Sequence, residues 1–461
     1  MNYQTLLAAA VNEPVSAGLV GAGQFGLSLV TQARACAGLD IRALCDRDGE
    51  RAMRVCRDAG YAESDIRACA SADEAATAIA EGRLAVVEDG ALLMELPLDI
   101  VVEATGNADA GAALADLAIS HRKHVAMVTK EADIVVGALL QARARDAGVV
   151  CTPVDGDQPA LLMGLVSWAR VLGFDIVCAG KSSEYDFVFD QQSERVSWRG
   201  RSIGVPRFGK LWRLGDDAAA TLAARADALA ELPQRTVPDL CEMGLVCNAT
   251  GMRPDVPAFH VPVARTLEVP GIFSPREHGG ILERAGTVDV FNCLRRPDEQ
   301  SFAGGVFVVV ACRDRRTLSV LAEKGIPVSA DGCHAMLYNP QHLLGLEAPL
   351  SLMHAVRLRH SVIAEPRAPV CDLVARAARD FRAGEVLEVT DHHHHEVDGL
   401  EPMLLDAAPL EPDAALPYYM AVGRTLARKV IAGKVITVAD VVPATDSALW
   451  RLRAEQDRLY A

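Results

Sequence analysis

The sequence contains no run of 18 apolar residues, so no membrane-spanning helix is read in it. Its first residues, Met1-Asn2-Tyr3-Gln4-Thr5, lack the basic and apolar regions of a secretory signal. No CxxC pair occurs. The 12 cysteines are scattered through apolar runs such as Val177-Cys178-Ala179 and Val246-Cys247-Asn248. That pattern argues for buried free thiols in a reducing cytosol, against disulfides or zinc. Positive charge is in short supply: 46 Lys and Arg face 61 Asp and Glu, a net charge of −15. Such an acidic balance argues against nucleic acid or an anionic membrane as a partner.

What the chain has is length and apolar content. Its 461 residues, half of them hydrophobic, are too many for one core, so two or three domains are expected. The most informative stretch is Gly18-Leu19-Val20-Gly21-Ala22-Gly23-Gln24-Phe25-Gly26. It is a G-x-G-x-x-G turn between an apolar run and a helical pattern. In a βαβ unit Gly21 makes the tight turn, Gly23 admits a pyrophosphate, and Gly26 lets helix and strand pack closely. The phosphate then meets the free N–H groups of the helix N-terminus. Asp46, 20 residues after Gly26, ends a second strand where a carboxylate can bind ribose hydroxyls. Asp46 favours NAD over NADP by repelling a 2′-phosphate, whereas the adjoining Arg47 would accept one.

Strand and helix patterns alternate to about residue 155 and predict a doubly wound parallel sheet, a Rossmann fold. Its ligand edge would carry Gly21–Gly26, Asp46, Thr105-Gly106 and Thr129-Lys130. Residues 156–363 read as an α+β domain for substrate and dimerisation. Residues 364–443 read as a small β-rich domain, and 444–461 as a helical tail. The β-rich region holds a repeat: Arg379–Asp391 matches Arg428–Asp440 at an offset of 49. With two copies this is a paired module and not a solenoid.

These motifs, with Glu103-Ala104-Thr105-Gly106, Gly156-Asp157-Gln158-Pro159, Ala179-Gly180-Lys181, Cys247-Asn248-Ala249-Thr250-Gly251, His278-Gly279-Gly280 and Tyr338-Asn339-Pro340-Gln341-His342, resemble the homoserine dehydrogenase superfamily. The resemblance is to its branch with a C-terminal SAF-like domain, which includes the deoxyxylulose-phosphate-reductoisomerase-like oxidoreductases. It covers nearly the whole chain. The stretch after Gly180-Lys181 departs from that branch: Ser182-Ser183-Glu184-Tyr185-Asp186 is acidic where those relatives are basic and Asn-rich.

The resemblance implies an oxidoreductase using NAD or NADP on a CH–OH or C=O group. The substrate would be a small hydroxy acid, sugar acid or sugar phosphate, with or without a coupled isomerisation. One alternative is a 1-deoxy-D-xylulose 5-phosphate reductoisomerase-like enzyme with NADPH and a divalent metal. Another is a dinucleotide-binding sensor without catalysis. Cofactor binding is expected of Gly21, Gly23, Gln24, Phe25, Gly26, Asp46, Arg47, Thr105, Gly106 and Lys130. Lys181, ending a strand, is expected to face a cleft and polarise the reacting oxygen. Lys130, Asp157, Glu184, Asn248 and Tyr338 are further catalytic candidates. Asp157, Glu184 and Glu242 are candidate ligands for a divalent metal. Asp186 and His342 are weaker acid–base candidates, and Arg253 and Arg276 are candidate anion forks. The run His392-His393-His394-His395 is read as an exposed loop, since consecutive strand residues cannot converge on one ion. A homodimer is expected because the second domain's strands need edge cover.

Overall fold

The computed structural model describes residues 2–215, 217–311, 314–391 and 395–461. His392–His394 therefore lie outside the described residues. The chain divides into two compact units. One comprises Met1–Ala160, Leu343–Glu388 and Ala407–Ala461; the other comprises Leu161–His342 and Val389–Asp406.

The first unit is built on seven strands, β1 (Val15–Val20), β2 (Leu39–Cys45), β3 (Ile66–Ala68), β4 (Leu84–Val87), β5 (Ile100–Glu103), β6 (His124–Met127) and β7 (Cys151–Pro153). They pair in the order β3-β4-β2-β1-β5-β6-β7, all parallel. β4, β5 and β6 are buried at every residue, as expected of strands covered on both faces. Three of the connecting helices start at side-chain caps. Asp48, Ser71 and Asn107 accept the N–H groups of Arg51, Glu74 and Ala110, satisfying donors that a helix N-terminus leaves free. The strand order reverses between β1 and β5, the switch point at which doubly wound sheets bind ligands.

The repeat folds as a local pseudo-dyad within this unit. Phe381 and Val430, equivalent residues of the two copies, donate to each other's carbonyls at 2.8 and 3.1 Å. Gly384 donates to Leu426 as Gly433 does to Ala377, and Leu387 donates to Arg424 as Ile436 does to Ala375. Every one of these partners is displaced by the same offset of 49. The repeat region read as residues 364–443 is not a unit by itself. The second copy and the first as far as Glu388 belong with the parallel sheet, while Val389–Asp406 belongs to the second unit. The tie is the C-terminal helix Ala448–Leu459. Its Arg453, 1 % exposed at the side chain, makes paired hydrogen bonds of 2.7 and 2.8 Å to Asp372 of the module. Its Gln456 accepts from Leu139 N–H and donates to Val135 O on the helix Lys130–Ala147.

The second unit carries a mixed sheet of β8 (Asp175–Asp190), β9 (Arg195–Trp198), β10 (Arg201–Gly204), β11 (Arg253–Pro254), β12 (Val263–Ala264), β13 (Thr287–Arg295), β14 (Val306–Ala311) and β15 (His334–Asn339). The long β8 lies parallel to β13 and antiparallel to β14 and β9. The Trp- and Arg-containing stretch after it is structural. Trp212 packs with Phe189 and Phe208 in one core and stacks under the guanidiniums of Arg265 and Arg296, 4.4 and 4.9 Å from the ring centre. Among the described residues no cysteine is disulfide-bonded; burial pushes the Cys45 and Cys293 thiols up to about 12. No described helix is long and apolar enough to cross a membrane.

Because Asp372 is buried with Arg453, losing the guanidinium leaves a charge without a counterion. Arg453→Ala is expected to lower unfolding free energy by about 3–5 kcal/mol in urea titrations. Lys429→Ala, which removes only the exposed partner of Asp380, is expected to leave the urea midpoint in place.

Candidate functional site

The carboxyl edge of the parallel sheet collects the predicted cofactor residues. Gly21, directly after β1, has φ +112°, and a Cβ there would lie 2.1 Å from the carbonyl oxygen of Ala104. A Cβ on Gly26 would lie 2.3 Å from the carbonyl oxygen of Gly21. Both glycines are therefore required by close backbone approach. At Gly23 the space is open. A Cβ would meet only the Arg51 guanidinium, at 3.8 Å, and the helix Gln24–Ala33 starts there with no side-chain cap. Open space beside uncapped helix N–H groups is a setting that suits an anion. Gln24 is exposed and Phe25 half-buried against the core.

Asp46, after β2, accepts the Ala22 N–H at 2.8 Å through one oxygen and the Asp48 N–H at 3.0 Å through the other. It thus fastens the glycine turn. Arg47 is exposed. Beyond β5, Thr105 donates its N–H and hydroxyl to Glu103 Oε1, at 2.9 and 2.6 Å. Gly106 N–H donates to the Thr129 hydroxyl, which itself donates to the same Glu103 oxygen. One buried carboxyl therefore ties the β5 and β6 loops together. Beyond β6 and β7, Lys130 Nζ lies 3.2 Å from Asp157 Oδ1. Asp157 is buried, and the same oxygen accepts the Gln158 N–H.

Beneath this edge lies a second buried carboxyl. Burial pushes Asp133, on the helix Lys130–Ala147, up to about 7, and the nearby Glu103 adds to the effect. Burial also raises Glu103, against hydrogen bonds from Thr105 and Thr129 that pull it down. Two acids so placed share the cost of ionising.

In the second unit Lys181 does not stand at an open surface, contrary to the expectation from sequence. The strand β8 carries it inward, where it is 1 % exposed. Its ammonium is 2.9 Å from Asp239 Oδ1 and also pairs with Glu242, both on the helix Val237–Thr250. Burial alone would lower the Lys181 pKa; the two carboxylates outweigh it and hold it above the ordinary value. Burial raises Asp239, with Glu242 adding to the rise and Lys181 opposing it.

The other candidates do not join this cluster. Glu184 is exposed and bonds Arg199 at 3.2 Å, with His342 at 4.0 Å. Glu184 and Glu242 thus sit in separate ion pairs and do not form a common metal-ligand set. Asp186 makes a paired bond with Arg295. Asn248 lies half-buried in the last turn of its helix. Arg253 pairs with Asp406, and Arg276 with Glu283 on the surface. Tyr338, on β15, packs edge-on against Phe302. It lines a cavity of about 260 Å³ with Arg265, Arg295 and Thr266.

Three participants escaped the sequence reading. Arg51 reaches Gly23 from the next helix, and its i+5 distance from Asp46 was the available signal. Asp239, three residues before Glu242, places both carboxylates on one helical face. His260 donates from Nδ1 to the wholly buried Asp289 at 2.6 Å, while its Nε2 lies 3.5 Å from Asp255. Burial lowers the His260 pKa, but the Asp289 hydrogen bond and charge raise it overall. Its neighbours Phe259 and Val261 both have positive φ, 56° and 48°, a strained setting for such side chains. Nothing in those residue types announces it.

Residues 156–348 match the family model described as the catalytic domain of the oxidoreductase DRL. No curated protein matches the chain. Among solved structures the chain is similar to an oxidoreductase from Agrobacterium radiobacter in complex with NAD+, L-tartaric acid and magnesium. The identity is 17 %, over 37 % of this chain and 45 % of that one, with a TM-score of 0.26. It is similar to a myo-inositol dehydrogenase from Lactobacillus casei in complex with NAD(H) and myo-inositol, at 17 % identity over 37 % and 47 % and a TM-score of 0.25. A probable dehydrogenase from Thermotoga maritima aligns over 77 % of this chain and 90 % of its own, at 10 % identity and a TM-score of 0.36. The chain spans about half the length of the first two structures.

Asp133 generates a pH test. Unfolded, it ionises near 3.8; folded, it keeps its proton to about 7. Between these values the unfolded chain holds fewer protons, so stability falls as pH rises, by up to about 1.4 kcal/mol per pH unit, and then levels off. Asp133→Asn is expected to remove this slope. Urea titrations of both proteins from pH 4 to 8 measure the difference, and parallel curves would refute it.

Proposed function

We propose that the chain is an NAD(P)-dependent oxidoreductase that moves hydride between the nicotinamide and a hydroxyl or carbonyl carbon of a small polar substrate. A hydroxy acid, sugar acid or sugar phosphate fits the polar side chains available. The observation that carries this reading is the open cradle at Gly23, set at the switch point of a seven-stranded parallel sheet. The match of residues 156–348 to an oxidoreductase catalytic domain supports it independently.

In this reading Gly21–Gly26 and Arg51 hold the pyrophosphate, and Asp46 holds the ribose and favours NAD. Thr105 and Gly106 line the nicotinamide side. The bound dinucleotide supplies or accepts the hydride. Lys130 is the group that touches the reacting oxygen: it is partly exposed and its ammonium is oriented by Asp157. It donates a hydrogen bond as negative charge grows on that oxygen. Lys181 instead positions Asp239 and Glu242, because its own donors are already engaged inside the fold. Kinship with the homoserine dehydrogenase superfamily, an SAF-like character of the repeat module, a cytosolic setting and a homodimer belong to the same proposal, supported by the sequence motifs. Simple hydride transfer is preferred to a metal-assisted reductoisomerisation, since Glu184 and Glu242 are committed to different partners.

Gly23→Asp places a carboxylate in the cradle and is expected to weaken dinucleotide binding at least about tenfold, read by calorimetry. Lys130→Ala is expected to lower kcat by about 100-fold or more while dinucleotide affinity stays put. A panel of hydroxy acids, sugar acids and sugar phosphates, offered with NAD, NADH, NADP and NADPH and followed at the nicotinamide absorbance, identifies the substrate. No dinucleotide binding by the purified protein would overturn the proposal.

A further inference from the structure

Outside the groups assigned above, one cluster of unlike metal-binding side chains stands in the second unit. His278 ends the short turn Arg276–His278, and Asp331 and Cys333 lie in the turn that enters β15. One donor atom from each falls within 4.8 Å of the others. Among the described residues no other three His, Cys, Asp or Glu side chains come together in this way.

The cluster is organised before any ion arrives. Asp331 accepts the Ser329 hydroxyl at 2.5 Å and the Cys333 N–H at 3.1 Å through Oδ1, which leaves Oδ2 for His278 Nδ1 at 2.9 Å. Burial works against ionisation of Asp331, but these hydrogen bonds hold its carboxyl down at about 2. The Cys333 thiol is pushed up by its contact with Asp331. Next along the chain, His334 is buried, and its ring meets that of His278 edge-on, 4.8 Å between centres. Its Nδ1 has no hydrogen-bond partner. A buried imidazole nitrogen left without a partner asks for an explanation.

We propose that His278, Asp331 and Cys333 form a site for a divalent transition cation of zinc-like preference. The mix of thiolate, imidazole and carboxylate selects a borderline-soft ion over magnesium or calcium, which take oxygen donors. Binding replaces the Cys333 S–H proton, which leaves to solvent; the His278 Nδ1 proton passes through solvent to Nε2, and the His278–Asp331 hydrogen bond is exchanged for two bonds to the ion. The site owes nothing to the dinucleotide edge and stands whether or not the oxidoreductase reading holds.

The test uses cobalt(II) chloride on the full chain after chelator treatment. The expected result is a sulfur-to-cobalt charge-transfer band in the near ultraviolet that saturates at one equivalent and is displaced by zinc. Cys333→Ser is expected to abolish the band, and His278→Ala to weaken binding at least tenfold. Cys333 is partly exposed, so the serine variant should melt as the parent does. The run His392–His395 can take up cobalt through imidazole alone and gives no sulfur band. Absence of the band, or its survival in Cys333→Ser, overturns the proposal.

Discussion

The architecture depends on three backbones meeting at one point. Where β1 ends, Gly21 touches the carbonyl of Ala104 on the next strand, and Gly26 touches Gly21 itself. Any side chain at Gly21 would strike backbone that cannot give way, because β5 is buried on both faces and hydrogen-bonded on both edges. That closeness lets the first helix start directly over the end of the sheet. It also aims the helix's free N–H groups at the gap where the strand order reverses. Asp46 then holds the turn from the other side through Ala22. The same carboxylate that would meet a ribose is therefore part of the scaffold, and a change there disturbs shape as well as recognition.

A second constraint recurs in both units: several charges are taken into the interior in the company of an opposite charge. Arg225 is fully buried against Glu268 with further bonds to Leu211, Trp212 and Val263 carbonyls. Arg453 is buried against Asp372 and Asp457. Lys181 is buried against Asp239 and Glu242. Such pairs add little net stability but punish the loss of one member severely. They fix which surfaces meet, since an apolar contact tolerates sliding and a paired guanidinium does not. In the first unit this explains how a small two-copy module with modest apolar area is locked to the tail helix.

The sequence made local geometry legible and left long-range partnership hidden. The glycine turn could be read because its glycines follow a fixed local spacing, and the acid of the second strand falls at a fixed interval. The repeat could be read as two copies. That Phe381 would bond its own equivalent, Val430, could not, because an offset in sequence carries no statement of pairing. Lys130 and Asp157 were both singled out, yet their contact across 27 residues emerges only once β6 and β7 lie side by side. Lys181 misled for a physical reason. It lies in the middle of β8 and not at a strand end, and two carboxylates on one face of a later helix make its burial tolerable. His260 was invisible because Phe and Val are poor residues for the left-handed backbone that flanks it.

The contrast between the two lysines bears on how the chemistry can be divided. The Lys130 ammonium lies 3.2 Å from Asp157, and its side chain is partly exposed. The Lys181 ammonium has two carboxylates and no opening. A triple of one cation and two anions carries an excess negative charge in a place where charge is costly. The raised pKa of Asp239 is the response: the cluster relieves that excess by holding on to a proton. A group that stores a proton and cannot reach substrate directly suits positioning and proton balance, whereas a group that is oriented and half open suits contact.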